Sequence, residues 1–357
     1  MLIPELKIGN LKPRLPIVQG GMGVGVSMWK LASSVANSGG IGVISGVEPG
    51  FGLPEYLRNK TAANREALAY NIKKARQASP SGVIGVNIMT ALNDFEEMVH
   101  VAVRERIDII FSGAGLPLKL PNLVKDSITK IAPIVSSAKA ASVLCKHWDK
   151  KYNRLPDAIV VEGPRAGGHL GFTLEQLKNI AEYPLTKLVA EVLTAVKPFE
   201  EKHNKSIPVI AGGGIFDGKD AARVLSAGAS GFQMATRFVA TYECDVSQQF
   251  KNEYIKAKKE DVIIIKSPVG MPGRAVRNDF LRDVEAGIKK PFKCLSNCLK
   301  SCNPGKSPYC IADALINAQQ GNLVNGFAFA GDNVYRVNRM SHVRDIINGI
   351  MDEIKKA

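Results

Sequence analysis

Eight short β-favouring runs, each followed by a segment of helical periodicity, predict an α/β fold in which parallel strands close into a (β/α)8 TIM barrel. Three observations carry that expectation. Strands and helices alternate from residue 16 to residue 241, glycines cluster at several strand ends, and residues 261–338 are too rich in Pro, Gly and Cys to be barrel wall. A barrel of this kind takes about 250 residues, so the surplus of a 357-residue chain needs another home. The expected organisation is a barrel over 1–260, a smaller Cys-containing capping domain inserted after strand eight over 261–338 and folded across the barrel mouth, and a C-terminal helix over 339–357 packing on the barrel.

The strands are expected at residues 16–19, 41–45, 83–87, 107–111, 131–135, 158–162, 207–211 and 231–234. Helical spacing and caps place helices at 27–38, 61–78, 94–106, 137–151, 173–202 and 219–225. A doubly wound dinucleotide fold would need G-x-G-x-x-G opening its first helix. The run GGMGVG from Gly20 to Gly25 lacks the third glycine, and no acidic residue closes a plausible second strand.

The chain is organised around IPVIAGGGIFDGKDAARVLSAGASGFQMATRFVAT, Ile207 to Thr241. Here a strand runs into Gly212, Gly213 and Gly214, Asp217 opens a helix, and a second strand ends in Ala235 and Thr236. Glycines at a strand end let backbone N–H groups approach an anion, and a following helix adds its partial positive charge. Two such ends side by side suit one phosphate of a cofactor, as the last two loops of a barrel do. Ordinary βα turns would also use glycine here.

Three further strand ends are glycine-rich: QGGMGVGVS with Gly21, Met22 and Gly23, SGAGLP from Ser112, and EGPRAGGHLGF with Gly167 and Gly168. Such clustering clears space for a flat ring close to the backbone, and a flavin fits that space. His169 follows the last glycine pair at the mouth, where a side chain able to exchange a proton near neutral pH is the candidate catalytic residue. His100, His147, His203 and His342 lie in expected helices or their ends and read as surface or packing residues.

Six cysteines divide unevenly. Cys145 and Cys244 are isolated, whereas Cys294, Cys298, Cys302 and Cys310 fall within seventeen positions. On a helix the first three would share one face, with Cys310 returned by the Pro304-Gly305 turn. Four clustered thiols suit a [4Fe–4S] cluster or a structural zinc ion, with unligated thiols the third reading.

The net charge is +14, with basic residues dispersed and none of the aromatic-interleaved runs of nucleic-acid binders. Nucleic acid is therefore not the expected partner, and an acidic protein carrier is the charged partner to consider. No apolar run reaches membrane-spanning length and the N-terminus lacks signal-peptide order, so a cytoplasmic protein without membrane contact is expected.

QGGMGVG, GVN ending at Asn87, EGPRAGGHLGF and the AGGG…QMATRF stretch together resemble the FMN-dependent nitronate monooxygenase and enoyl-acyl-carrier-protein reductase II family. The resemblance covers nearly the whole chain. It implies a TIM barrel binding FMN through Gly21, Met22, Asn87, Gly213, Gly214 and Gln233, Met234, Ala235 and Thr236, with His169 as the active-site histidine. One departure is the loop Pro164-Arg165-Ala166, where the family usually carries an acidic residue before AGGH. The tail, with KSPVGMPGRAVRN, KCLSNCLKSC and YCIADAL, resembles the family's iron–sulfur branch of bifunctional acyl-carrier-protein dehydrogenase/isomerases. That likeness implies FMN, a [4Fe–4S] cluster, and dehydrogenation and isomerisation of a medium-chain acyl thioester in unsaturated fatty-acid synthesis. Nitronate oxidation with oxygen, or NAD(P)H-dependent enoyl-thioester reduction, is the alternative.

Overall fold

The structure, a computed structural model, describes residues 1–294 and 297–357. Its strands are β1 (Ile17–Gln19), β2 (Ile41–Ser45), β3 (Val83–Asn87), β4 (Ile109–Ser112), β5 (Lys130–Val135), β6 (Ile159–Glu162), β7 (Gly168–His169), β8 (Val209–Gly212), β9 (Gly231–Met234), β10 (Val262–Lys266) and β11 (Pro272–Val276). Strands β1 to β6, β8 and β9 form a closed parallel barrel, with β9 returning to β1 through Ile17↔Phe232 and Val18↔Gln233. All eight expected strands are present, three with the expected bounds (41–45, 83–87 and 231–234) and five with ends shifted by at most two residues.

Alternation along each strand separates two cores. Val18, Val43, Ile109, Phe111, Val160 and Ile210 point into the barrel, while Ile17, Ile44, Ile84, Val86 and Val161 face the helices. Leu6 and Ile8, from the segment before β1, join the inner set. An added Cβ at Gly231, the first residue of β9, would lie 3.2 Å from the Leu6 side chain. The N-terminal segment thus plugs the barrel where its strands begin, which leaves the opposite end open for a site. Helices press close to the strands: a Cβ on Gly42 would sit 1.8 Å from the Ala32 carbonyl oxygen, so only glycine admits the helix Trp29–Asn37 at β2.

Side-chain caps start four of the outer helices. Asn59 accepts from the Ala62 N–H and Ser137 from the Ala140 N–H, while Thr173 with Gln176 and Asp217 with Asp220 form capping boxes. The single helix expected over 173–202 is in fact split into Leu174–Lys178, a 3-10 turn at Ile180–Glu182, and Leu185–His203. Pro184 accounts for the break, because it has no N–H and drives Tyr183 out of the helical region, to φ −118 and ψ 54.

Beyond β9 the chain forms a hairpin, β10 with β11, whose β11 adds the short β7 to make a three-stranded antiparallel sheet. Gly273 pairs with His169 and Arg274 with Gly168. The helices Asp279–Glu285 and Ile311–Gln319 follow, and the last helix, Val343–Lys356, packs on Gly218–Ser226, where the Gly218 N–H donates to Glu353 Oε2 at 2.6 Å.

Candidate active site

A cavity of about 270 Å³ opens at the C-terminal ends of the barrel strands, where sites of this architecture lie. His169, Gly21, Met22, Gly23, Asn87, Gly167, Gly168, Gly213, Gly214, Gln233, Met234, Ala235 and Thr236 all line it. Of the four clustered cysteines, Cys298 alone reaches it among the described residues.

One side of the cavity is a backbone cradle. Gly213 and Gly214 have φ of +96 and +84, and a Cβ on Gly213 would fall 2.9 Å from the Gly163 oxygen and 3.1 Å from the Ala166 nitrogen. Side chains are excluded there by both conformation and space. Across from it the Gly331 N–H donates to Thr236 Oγ1 at 2.9 Å, and Asn333 Nδ2 donates to the Gly214 carbonyl at 2.7 Å. Buried Arg274 holds the neighbouring loop by donating to the Pro164 and Ala166 carbonyls at 2.7 and 2.5 Å. Arg165, the departure from the family pattern, pairs with Asp332 at 2.6 Å, so residues from beyond β9 balance its charge.

The other side is flat and stripped of side chains. A Cβ on Gly21 would lie 2.3 Å from the Asn87 Cβ, and one on Gly23 would lie 2.9 Å from the Val47 Cβ. Met89, Leu92, Leu299, Ile311, Leu315 and Phe329 complete an apolar wall. A phosphate-accepting cradle joined to a slot for a flat ring fits FMN on the residues present.

His169 stands over this slot. Its Nε2 is 2.7 Å from Ser267 Oγ in the β10–β11 turn, and its ring packs edge-on against Phe329 at 5.0 Å. Burial lowers its pKa to about 4, so the imidazole is neutral at neutral pH. Glu162, at the end of β6, also lines the cavity, and burial raises its pKa to about 7. Beside the slot, Glu48 is held in a left-handed conformation (φ 49), paired with Lys60 and accepting from the Tyr56 hydroxyl at 2.6 Å.

Sequence reasoning did not single out Glu162, Ser267, Arg274 or Asp332. Glu162 stood in the glycine-rich loop motif and gave that one signal. Ser267 and Arg274 stood in the KSPVGMPGRAVRN motif of the tail without being singled out in it, and nothing local marks Asp332; all three lie about 100 or more positions beyond their partners.

The cysteines do not lie on a helix. Around Cys298 the chain is irregular, with one isolated bridge: Leu299 bridges Leu92, the Asn93 N–H donates to the Cys298 carbonyl at 3.0 Å, and the Lys300 N–H to the Ala91 carbonyl at 3.0 Å. Pairing with the loop after β3 replaces the helix that spacing suggested, and residues 295–296 lie outside those described. Burial pushes the Cys298 thiol up to about 12 and the Cys310 thiol to about 11, and Cys302 and Cys310 lie near enough to Cys298 to add to its shift. Among the described residues no three His, Cys, Asp or Glu side chains are arranged to hold a metal ion. As placed, Cys294, Cys298, Cys302 and Cys310 therefore do not fit a cluster or a zinc ion.

The family model for nitronate monooxygenase matches residues 5–353, and that match decides the family. The chain belongs to the nitronate monooxygenase family. Among curated proteins it is 29% identical over 274 residues to the (3aS,4S,5R,7aS)-5-hydroxy-7a-methyl-1-oxo-octahydro-1H-indene-4-carboxyl-CoA dehydrogenase of Mycobacterium tuberculosis, covering 77% of this chain and 66% of that protein. This chain thus spans just under two thirds of that relative's length. It is 26% identical over 288 residues to a "Probable nitronate monooxygenase" of Staphylococcus aureus, covering 75% and 77% of the two chains. The structure of FabK from Thermotoga maritima matches at a TM-score of 0.75 and 28% identity, over 96% of this chain and 94% of that one. A nitroalkane oxidase from Streptomyces ansochromogenes, at 20% identity and a TM-score of 0.74 over 97% of both chains, shares the fold. No helix among the described residues is long and apolar enough to cross a membrane.

Proposed function

We propose that the protein is an FMN-dependent oxidoreductase that dehydrogenates and isomerises a medium-chain acyl thioester, carried on an acidic acyl-carrier protein. The observation that carries this reading is the neutral His169 held at the end of an apolar slot that the glycine cradle adjoins. Gly213, Gly214 and Thr236 would hold the phosphate, and Gly21, Met22, Gly23 and Asn87 would border the ring. Acceptance of hydride from the acyl chain is the chemistry that FMN supplies when bound.

His169 supplies the base. With Nε2 engaged by Ser267, Nδ1 is the nitrogen free to take the α-proton, and this requires the Nε2–H to donate to Ser267 Oγ. Removing a proton at one carbon and returning it two carbons away needs a single base that stays neutral between turnovers, which burial provides. The apolar wall excludes water from the chain meanwhile. The dehydrogenase relative, itself acting on a carboxyl-CoA, supports the thioester class.

His169→Ala is expected to keep FMN bound at unit stoichiometry and to lose turnover by at least a hundredfold. A fully active variant would remove His169 from the mechanism. The match of the nitronate monooxygenase model across 5–353 favours a second reading, oxidation of alkyl nitronates with oxygen. Oxygen uptake with a small nitronate separates the two, and rapid bleaching of the flavin by NAD(P)H would identify an enoyl-thioester reductase instead.

The iron–sulfur branch rests on the cysteine spacing and the resemblance of the tail, and no step here runs through a cluster. Iron and acid-labile sulfide per flavin, in protein purified without oxygen, decide that branch. About four of each would assign it. None would remove the branch and leave the flavin reading standing.

A further inference from the structure

The loop that leaves β8 ends at Phe216, and Phe216 borders two cavities. One is the active cavity. The other has a volume of about 570 Å³, and three arginines line it: Arg237, Arg336 and Arg339. None of the three lines the active cavity.

The arginines differ in what they already hold. Arg336 is committed within the protein, pairing with Asp217 and, at 3.3 Å, with Asp220. Those two carboxylates also serve the backbone, since Asp217 accepts from the Asp220 N–H at 2.9 Å and Asp220 from the Phe216 N–H at 3.0 Å. Half-buried Arg237 donates Nη1 to the Phe216 carbonyl at 2.9 Å and pairs with no carboxylate among the described residues. It and Arg336 lie over the Phe216 ring, 4.9 and 4.3 Å from the ring centroid. Burial, with the like charges of Arg336 and Arg339, holds the Arg237 pKa below the ordinary arginine value, against the opposing pull of Glu353 and Asp217. Arg339 is exposed, and its side chain makes no hydrogen bond or ion pair with any described residue.

Like charges gathered at a cavity repel one another, and an anion bound between them offsets that cost. Arg237 keeps its Nε and Nη2 hydrogens for such a ligand, and Arg339 keeps its whole planar fork, which matches phosphate oxygens. Asn338 and Ser341 in the same wall can add neutral hydrogen bonds. Two guanidinium groups without carboxylate partners match a doubly charged phosphate better than a singly charged carboxylate. Val337 and Ile346 give the cavity an apolar side against which a small organic body can lie. Its concave shape suits a small ligand rather than the face of a protein.

We propose that this cavity is a second binding site, separate from the active cavity, for a dianionic phosphate group, free or at the end of a small organic ester, held by Arg237 and Arg339. The proposal stands apart from the flavin and thioester readings.

The test is a calorimetric titration of FMN-loaded full-length protein, freed of excess flavin, at low ionic strength. The probes are inorganic phosphate, phenyl phosphate and methyl phenyl phosphate. At about pH 8 the first two are dianions and the third a monoanion. Because Arg339 lies outside the active cavity, a loss caused by its substitution cannot arise at the cradle, whatever the fate of the flavin reading. Wild-type protein is expected to bind one dianion per chain, about tenfold or more tighter than the diester. Arg339→Gln should weaken both dianions by roughly tenfold to a hundredfold, as loss of hydrogen bonds to a charged group implies, and Arg339→Lys should restore part of this. Arg65→Gln removes the same charge from the exposed face of the helix Lys60–Ala78 and should leave binding within about twofold. Tighter binding of phenyl phosphate than of inorganic phosphate assigns the site to an organic ester, and equal binding assigns it to free phosphate. The proposal is overturned by absence of saturable phosphate binding in the millimolar range, by equal affinity for the diester, or by equal weakening in Arg339→Gln and Arg65→Gln.

Discussion

Burial moves two of the ionisable residues that face the cavity, His169 and Glu162, in ways that a titration of stability can read. His169 has its pKa lowered to about 4, so between its ordinary value near 6.5 and 4 the unfolded chain takes up a proton that the folded chain refuses. Its contribution therefore destabilises the fold progressively as pH falls through that window. Glu162 behaves in the opposite sense. Its pKa is raised to about 7, so between about 4.5 and 7 the folded chain keeps a proton that the unfolded chain has released, and stability falls as pH rises. In flavin-free protein Glu162→Gln is accordingly expected to raise the urea midpoint at pH 8 and to leave it nearly unchanged at pH 4.5. An equal effect at both pH values would show that Glu162 ionises freely. The sequence marked His169 because a histidine after two glycines at a strand end has few structural uses. It did not mark Glu162, since a strand-ending carboxylate looks the same whether it meets an arginine, water or a ligand.

Among the elements, the eight barrel strands were legible because both of their faces are buried, so each reads as a short apolar run bounded by turn residues. The small sheet was not. β7 is two residues long, and its partner β11 lies about 100 positions further on, so no local pattern announces the pairing. The cysteine segment misled for a related reason: four-residue spacing is also compatible with an irregular strap, and contacts with Ala91 and Asn93 decided between them. The same small sheet delivers Arg274 beneath the cradle, where it donates to two loop carbonyls and lies 3.9 Å from Asp332. Arg274→Met keeps the length and apolar stem but leaves those acceptors buried without a donor. It should cost on the order of 3 kcal/mol in urea unfolding and weaken FMN binding by loosening residues 164–166. Unchanged FMN affinity in a measurably destabilised variant would confine Arg274 to a stability role.

At the scale of the whole molecule, the plug at one end of the barrel and the cavity at the other leave one face where the proposed carrier-bound substrate would enter. The net charge of +14 gives that encounter a long-range component if the carrier is acidic. Screening separates this from contacts in the slot, because the Debye length shrinks from about 10 Å at 0.1 M salt to about 3 Å at 1 M, whereas apolar burial of an acyl chain is not weakened by salt. KM for an acyl chain on its carrier protein should therefore rise by about tenfold or more between 0.05 and 0.5 M NaCl. KM for the same chain on uncharged pantetheine should stay nearly constant, and kcat should be little changed for both. Parallel salt curves for the two substrates would show that the surface charge plays no part in recognition. The carrier would then have to be dropped from the proposed function, while the thioester chemistry assigned to His169 would stand on the pantetheine substrate alone.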